Sequence, residues 1–513
     1  MTSNRLRVFL GLFFLHAAAA MILYARALPY EFVFDDHNRI EKNVAIHSLN
    51  PVSRFFLDPK TQSSDGTLPR HTYRPLVSLS FALDYSLWKE NPAFYRLENI
   101  LLHALNAALV AWIAVLVFSL PLPIAVLSSM MFLVHPLQTE AVVWIAGRSD
   151  VLSVSFLLLT WAAWVAYTDI PRAPRLAAVV LCFSAALFTR EIAILAPLML
   201  ALGDAARAPA SKPTISPARR RILYGVFAAT ALAFVAARSA MLGQTGQKDL
   251  WGGTPTNNLA NVLAVWPLYL QKFLWPFKLR VEYWSLPILF SWTMTAWAGL
   301  FSLLVFLLSI ALLWRIHRPL SVALLLFVVF WVPGSNIVPL ATQFAERLLY
   351  PMVIFLSIAV GLIAQAVLRQ DRRPATATAV GAVLLSLDLL LLGVSWVNLP
   401  VWRNDATLWR NVVHREPENW WAWYMKGATE VDRARLEPAD EKLWLGKAKT
   451  SYICALRLGM PAAAAGATFI HAAIVADRLG QPEEARILST RGLALRPDLS
   501  ADWEARRPPA AGD

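Results

Sequence analysis

Eleven stretches of this chain read as crossings of a lipid bilayer, and they limit the fold more than any other feature. They lie at 6–28, 96–118, 122–141, 150–168, 174–190, 191–204, 221–241, 288–314, 319–333, 345–368 and 375–397. A bilayer's hydrocarbon core takes roughly 20 apolar residues to cross as a helix. Inside it every backbone N–H and C=O must find a partner within the protein, which drives such runs into helices. Composition agrees: 57% of the 513 residues are hydrophobic and 16% charged, against about 25% charged for a soluble domain. Mean hydropathy is +0.49. The expected class is therefore all-α, a polytopic membrane helix bundle of about eleven spans. The first run exceeds signal-peptide length and shows no small-residue cleavage site before Pro29, so it is expected to stay as an anchor.

Orientation follows from where Lys and Arg collect, because short cytoplasmic loops carry them in excess. Arg5 and Arg7 precede the first run. Arg172 and Arg175, Lys212 with Arg219, Arg220 and Arg221, Arg315 with Arg318, and Arg369 with Arg372 and Arg373 follow the fourth, sixth, eighth and tenth. All fall on one side if the N-terminus is cytoplasmic and the crossings number eleven. Counting 256–277 as a further span would put the last two clusters outside. That stretch holds Lys272, two prolines and interface-type aromatics, so it is expected to be an interfacial or re-entrant element. The net charge of +13 is read as positive-inside anchoring and contact with anionic lipid. Dispersed over loops, it does not point to nucleic acid. The two cysteines, Cys182 and Cys454, lie in a span and in the tail and form no disulfide framework.

Composition changes near Asn398. Residues 1–399 form the expected membrane domain and 400–513 a soluble helical domain. Helices are expected from Trp420 to about Val431, from about Lys442 to Leu458, from Pro461 to Leu479, and from Pro482 to a point before Arg496. Paired helices with proline boundaries and small residues at crossings suggest degenerate tetratricopeptide-like repeats, whose period is about 34 residues. An odd number of crossings puts this domain on the outer side.

The few ionisable residues gather at span ends on that same side. Asp35 and Asp36 follow the first span. Adjacent carboxylates repel, so one can keep a raised pKa and act as a base, or the two can hold a cation. The plainer reading is a solvated turn. Arg74 ends the same loop. The next outer loop carries His135, Glu140, Arg148 and Asp150, the third Arg190 and Glu191. Arg238 closes the seventh span, and Glu346, Arg347 and Tyr350 begin the tenth. Structural pairing of Arg148 with Asp150 and of Glu346 with Arg347 is the competing explanation. His37 and His135 are too isolated to argue a zinc site. An outer membrane face holds no nucleotide sugars, so group transfer there needs a donor carried through the bilayer. A sugar on a polyprenyl phosphate fits: arginines hold the phosphate and a carboxylate deprotonates the acceptor hydroxyl.

Five segments then resemble one family. FVFDDH, YRPLVSLSFALDY, FYRLENILLHALNA, HPLQTEAVVWIAGRSD and PGSNIVPLATQFAERLLYP, with the acid at Glu191, occur in the order found in the transmembrane and tetratricopeptide-repeat-containing protein O-mannosyltransferases and their bacterial relatives. Gln138 stands where relatives often show His, Arg190 where Lys is common, and the repeat array is shorter. The resemblance implies a C-type glycosyltransferase fold in a bacterial inner membrane. It implies inverting transfer of one sugar, mannose in the family's name, from a polyprenyl phosphate to Ser or Thr of exported proteins. Asp35 or Asp36 would then be the base. Arg74, Arg148, Arg190, Arg238, Arg347 and Tyr350 would be candidates for donor phosphate or sugar. His135, Glu140, Asp150, Glu191 and Glu346 would support them. No metal ligand set is implied, and a divalent cation is left open. The partners would be the lipid-linked sugar, membrane lipid and an exported protein docked by 400–513. Transfer to a lipid or surface glycan, a non-catalytic envelope-assembly scaffold and a transporter are the competing functions.

Overall fold

The structure is a computed structural model that describes residues 3–64, 72–207, 214–242 and 249–506. The chain divides into two compact units. One holds residues 1–279 and 288–400. The other holds 280–287 and 401–513. Among the described residues the regular structure is helical.

In the first unit α1 (Ser3–Tyr24) is followed by the short α2 (Arg54–Leu57), α3 (Pro75–Trp88), α4 (Pro92–Leu116), α5 (Leu122–Val134), α6 (Thr139–Val143) and α7 (Arg148–Asp169). Then come α8 (Ala173–Leu187), α9 (Ala196–Ala206), α10 (Pro217–Leu242), α11 (Pro255–Leu274), α12 (Met294–Ile316), α13 (Arg318–Gly334), α14 (Tyr350–Gln370) and α15 (Pro374–Asn398). Seven helical segments, centred on α1, α4, α7, α10, α12, α14 and α15, are long and apolar enough to cross a membrane. An eighth crossing is possible if α5 and α6 count as one bent element. The protein is thus all-α and polytopic. The buried centre is built from α4, α7 and α14, while α1, α10, α12 and α15 keep apolar faces exposed, as lipid-facing helices do.

Four of the eleven expected spans fall outside these seven segments: 174–190 and 319–333 form shorter apolar helices of 15 and 17 residues, and two more are interrupted. The run 122–141 is broken, with a 51° bend between Leu122–Val134 and Pro136–Val143. Pro136 has no N–H to continue the helix and forces His135 into extended geometry, at ψ 130°. The run 191–204 becomes a 3₁₀ turn, Glu191–Leu195, followed by α9 of 11 residues. At 1.5 Å per residue α9 covers about 17 Å, short of a roughly 30 Å core. Ion pairs from Glu191 to Arg74 and Arg238 hold its start out of the helix. The stretch 256–277 forms α11, whose Trp266 and Tyr269 are buried.

The second unit contains α16 (Asp405–Arg415), α17 (Trp420–Leu436), α18 (Glu441–Arg457), α19 (Ala462–Arg478), α20 (Pro482–Leu495) and α21 (Ser500–Arg506). Asn404 caps α16 in a reciprocal capping box with Thr407. Its core gathers Leu445, Tyr452, Ile470, Val475 and Leu488. α17 and α18 approach closely at Gly427, where a β-carbon would lie 2.7 Å from the Tyr452 ring. The segment 280–287 joins this unit through Arg280, which pairs with buried Glu416, and Ser285, whose N–H donates to Glu416 at 3.0 Å.

Candidate active site

The turn after α1 places Asp35 and Asp36 in different surroundings. Phe34 lies at φ +55°, a conformation costly for a bulky L-residue and concentrated at functional sites. Two interactions hold the turn. Asp36 is wholly buried and accepts the N–H of Val33 at 3.2 Å and of Ala146 at 2.8 Å. The Phe34 ring stacks on Trp144 at 5.8 Å. Burial pushes the Asp36 carboxyl up to about 7, against the pull of the Ala146 N–H, Arg96 and the Val33 N–H. One acid of the two therefore has a raised pKa, and desolvation is the cause rather than repulsion from its neighbour. Asp35 keeps about 18% of its side chain exposed and faces Arg39 at 3.4 Å.

Below the turn lies Arg96, fully buried at the start of α4. Its guanidinium donates to the carbonyls of Leu28, Tyr30, Glu31 and Val143. One cation thus ties the approach to the Asp turn onto the end of α6.

The segment that follows, 144–150, which runs into the first turn of α7, reaches a second group. Arg74 donates to Ser149 Oγ at 3.3 Å and pairs with Glu191 at 3.3 Å. Arg190 pairs with Asp150 and lies 3.5 Å from Ser149 Oγ. Arg238 pairs with Glu191 at 2.9 Å. Three arginines against two carboxylates leave one formal positive charge. Ala146, which binds Asp36, is three residues from Ser149. At no more than about 3.6 Å per residue, their backbones lie within roughly 11 Å. An apolar groove of about 430 Å³ between α8 and α10, lined by Leu187, Phe188, Ala233, Phe234 and Met241, opens at Arg238.

Arg347 adds a third contact. It pairs with Glu140 at 2.5 Å, donates its backbone N–H to the same carboxylate at 2.9 Å, and lies 5.3 Å over the Trp144 ring. The carboxylate that Arg347 meets here is that of Glu140. Glu346 is buried beside it. The expected pairing of Arg148 with Asp150 is replaced. Arg148 is fully buried, on Asp84 at 2.5 Å, Glu98 at 2.8 Å, Asn99 at 2.8 Å and the Tyr95 carbonyl at 2.6 Å. These contacts hold the Arg148 guanidinium among α3, α4 and the start of α7.

Tyr350 and His135 are likewise placed as supports. The Tyr350 hydroxyl meets His103 Nδ1 at 2.8 Å and the Asn106 amide at 3.0 Å, within the helix core. His135 Nδ1 accepts the Leu137 N–H, its Nε2 donates to the Phe273 carbonyl at 3.1 Å, and its ring stacks on Phe273. Asp35, Asp36, Arg74, Arg190, Arg238, Arg347, Glu140, Asp150 and Glu191 are thus gathered around residues 144–150, and Arg148, His135 and Tyr350 brace the frame. Sequence reading missed Arg96, Trp144 and Ser149. Arg96 carries the one usable signal, a charge at a position that a span otherwise avoids.

Known proteins of similar sequence fit this picture. Human protein O-mannosyl-transferase TMTC3 is 35% identical over 146 residues, 28% of this chain and 15% of the relative. Human TMTC2 is 32% identical over 154 residues, 29% of this chain and 18% of the relative. The chain matches the TMTC protein O-mannosyl-transferase family over part of its length. Drosophila melanogaster Tmtc1 extends the TMTC match to 194 residues at 31% identity, 37% of this chain and 22% of the relative. The match thus spans between 15% and 22% of these relatives. No family model and no solved structure matches the chain.

Proposed function

We propose that the membrane unit is a glycosyltransferase that moves a single sugar, mannose by kinship, from a polyprenyl-phosphate donor to Ser or Thr hydroxyls of exported proteins. The TMTC relatives are named protein O-mannosyl-transferases, and the site contains the groups such a reaction needs. The observation that carries the reading is the shared segment 144–150, which joins the Asp turn to the arginine cluster.

In this reading Asp35 is the base. It is the half-buried, more accessible acid of the turn, whereas Asp36 is sealed in and spends both oxygens on backbone N–H groups. Asp35 takes the acceptor hydroxyl proton. The oxygen attacks the anomeric carbon as the bond to the phosphate oxygen breaks, and the configuration inverts. The leaving polyprenyl phosphate keeps the bonding electrons. Arg74, Arg190 and Arg238 meet its growing charge with their surplus positive charge, in a site of fixed donors. The groove beside Arg238 takes the first isoprene units. Asp36 and Arg96 hold the turn.

The test is a donor panel given to the protein in lipid nanodiscs with a Ser/Thr peptide. Labelled mannose is expected on the peptide from mannosyl polyprenyl phosphate. It is not expected from GDP-mannose in the absence of polyprenyl phosphate. Equal labelling from the nucleotide sugar in lipid-free detergent contradicts the reading.

A further inference from the structure

The helical unit carries a groove that the transfer site does not use. It lies between α17 and α18, has a volume of about 370 Å³, and is lined by Trp423, Lys426, Lys442, Leu443, Gly446 and Lys447, with Thr450 and Ser451 at one end. Residues 400–513 contain twelve arginines but four lysines, and three of the four line this groove. Lys442 and Lys447 are exposed and have no carboxylate partner among the described residues. Lys447 lies 4.0 Å over the Trp444 ring. Lys426 is met on one side by Glu430 at 2.6 Å and lies 5.5 Å from the Trp423 ring. No acid lines the groove itself.

Gly446 makes the groove open. It sits inside α18, where glycine weakens a helix relative to alanine. A β-carbon there would meet nothing within 4 Å, and the residue has ordinary helical φ. Neither packing nor backbone geometry requires glycine at this place.

We propose that this groove binds an acidic, extended peptide segment of a protein partner. Its carboxylates sit among Lys426, Lys442 and Lys447, and an apolar side chain rests on Trp423 and Leu443 over Gly446. Point charges on flexible stems suit a run of carboxylates of varied spacing, and the indole supplies contact area and a cation-holding face. Charge complementarity selects an acidic occupant. That the segment belongs to the acceptor rests on the reading above. The groove's ligand chemistry does not, and its test measures binding rather than transfer.

The experiment uses the full chain in nanodiscs of neutral phosphatidylcholine. A short fluorescein-labelled peptide of Glu, Ser and Phe is titrated by anisotropy, beside its Gln analogue. The acidic peptide is expected to bind, more weakly as salt rises. Gly446→Leu, which fills the groove, and the pair Lys442→Glu with Lys447→Glu should each weaken it by about tenfold or more, with thermal stability kept. Equal binding of the Gln peptide, or unchanged binding by both variants, overturns the proposal. So does capture of phosphatidylglycerol vesicles that is lost in the same variants and not competed by the peptide, which assigns the lysines to a lipid surface.

Discussion

Asp36 shows how a charge can serve by being withheld. Buried against two N–H donors, it titrates near 7 in the folded protein, against about 3.9 in an unfolded chain. Between those values the folded state holds a proton that the unfolded state has lost. The stability it lends is complete below about pH 4 and is lost as pH rises through about 7. The difference in melting temperature between wild type and Asp36→Asn should therefore shrink or reverse as pH is raised from about 5 to 8. Parallel pH profiles contradict the assignment. Arg238 belongs to the same scale but acts on the donor. Arg238→Ala should raise the KM for the lipid-linked sugar by about tenfold or more, and leave acceptor KM unchanged, since a charge-assisted contact to phosphate is lost. A fall in kcat alone argues instead that Arg238 only steadies Glu191.

At the scale of elements, the site depends on breaks in helices more than on helices. The bend at His135–Pro136 turns α6 and the segment 144–150 toward the Asp turn, and the 3₁₀ start before α9 leaves Glu191 to Arg74 and Arg238. Pro136 announces the first break in the sequence. The second is hidden, because Glu191 is drawn out by arginines from two distant elements, which no local pattern records. The same limit explains the exchanged pairings. Neighbours in sequence such as Arg148 and Asp150 fall on different sides of a helix start, so each finds a remote partner, Asp84 and Arg190. In the helical unit Arg280 plays a comparable part for Glu416. Arg280→Ala leaves a carboxylate that is 3% exposed without its cation, and should destabilise that unit by about 3 kcal/mol. Limited proteolysis within 401–506 should then quicken, and Arg280→Lys should recover part of the loss. Unchanged proteolysis contradicts a stabilising role for the pair.

For the whole molecule, the apolar runs made an all-α membrane protein legible from sequence, and the order of five motifs pointed to the family that the TMTC matches then supported. The gathering of the site was not legible, because its contacts bridge residues 34 to 347 through a segment with little pattern of its own. Sidedness is a proposal that rests on the positive loops: a cytoplasmic N-terminus and the eleven runs read from the sequence would put the C-terminus outside, whereas seven or eight helices of the structure are long enough to cross. A C-terminal cysteine should accordingly react with an impermeant maleimide in intact cells or spheroplasts, while one placed beside Arg315 should not. The reverse pattern removes the helical unit from the side of Asp35. All of this converges on one acid. The decisive measurement is transfer of labelled mannose from mannosyl polyprenyl phosphate to a Ser/Thr peptide by wild type and by Asp35→Asn, both in nanodiscs and both shown by thermal melting to be folded. The wild type should transfer, and the variant should be slower by about 10² to 10⁴ at unchanged melting temperature. Transfer by Asp35→Asn at the wild-type rate would contradict the account.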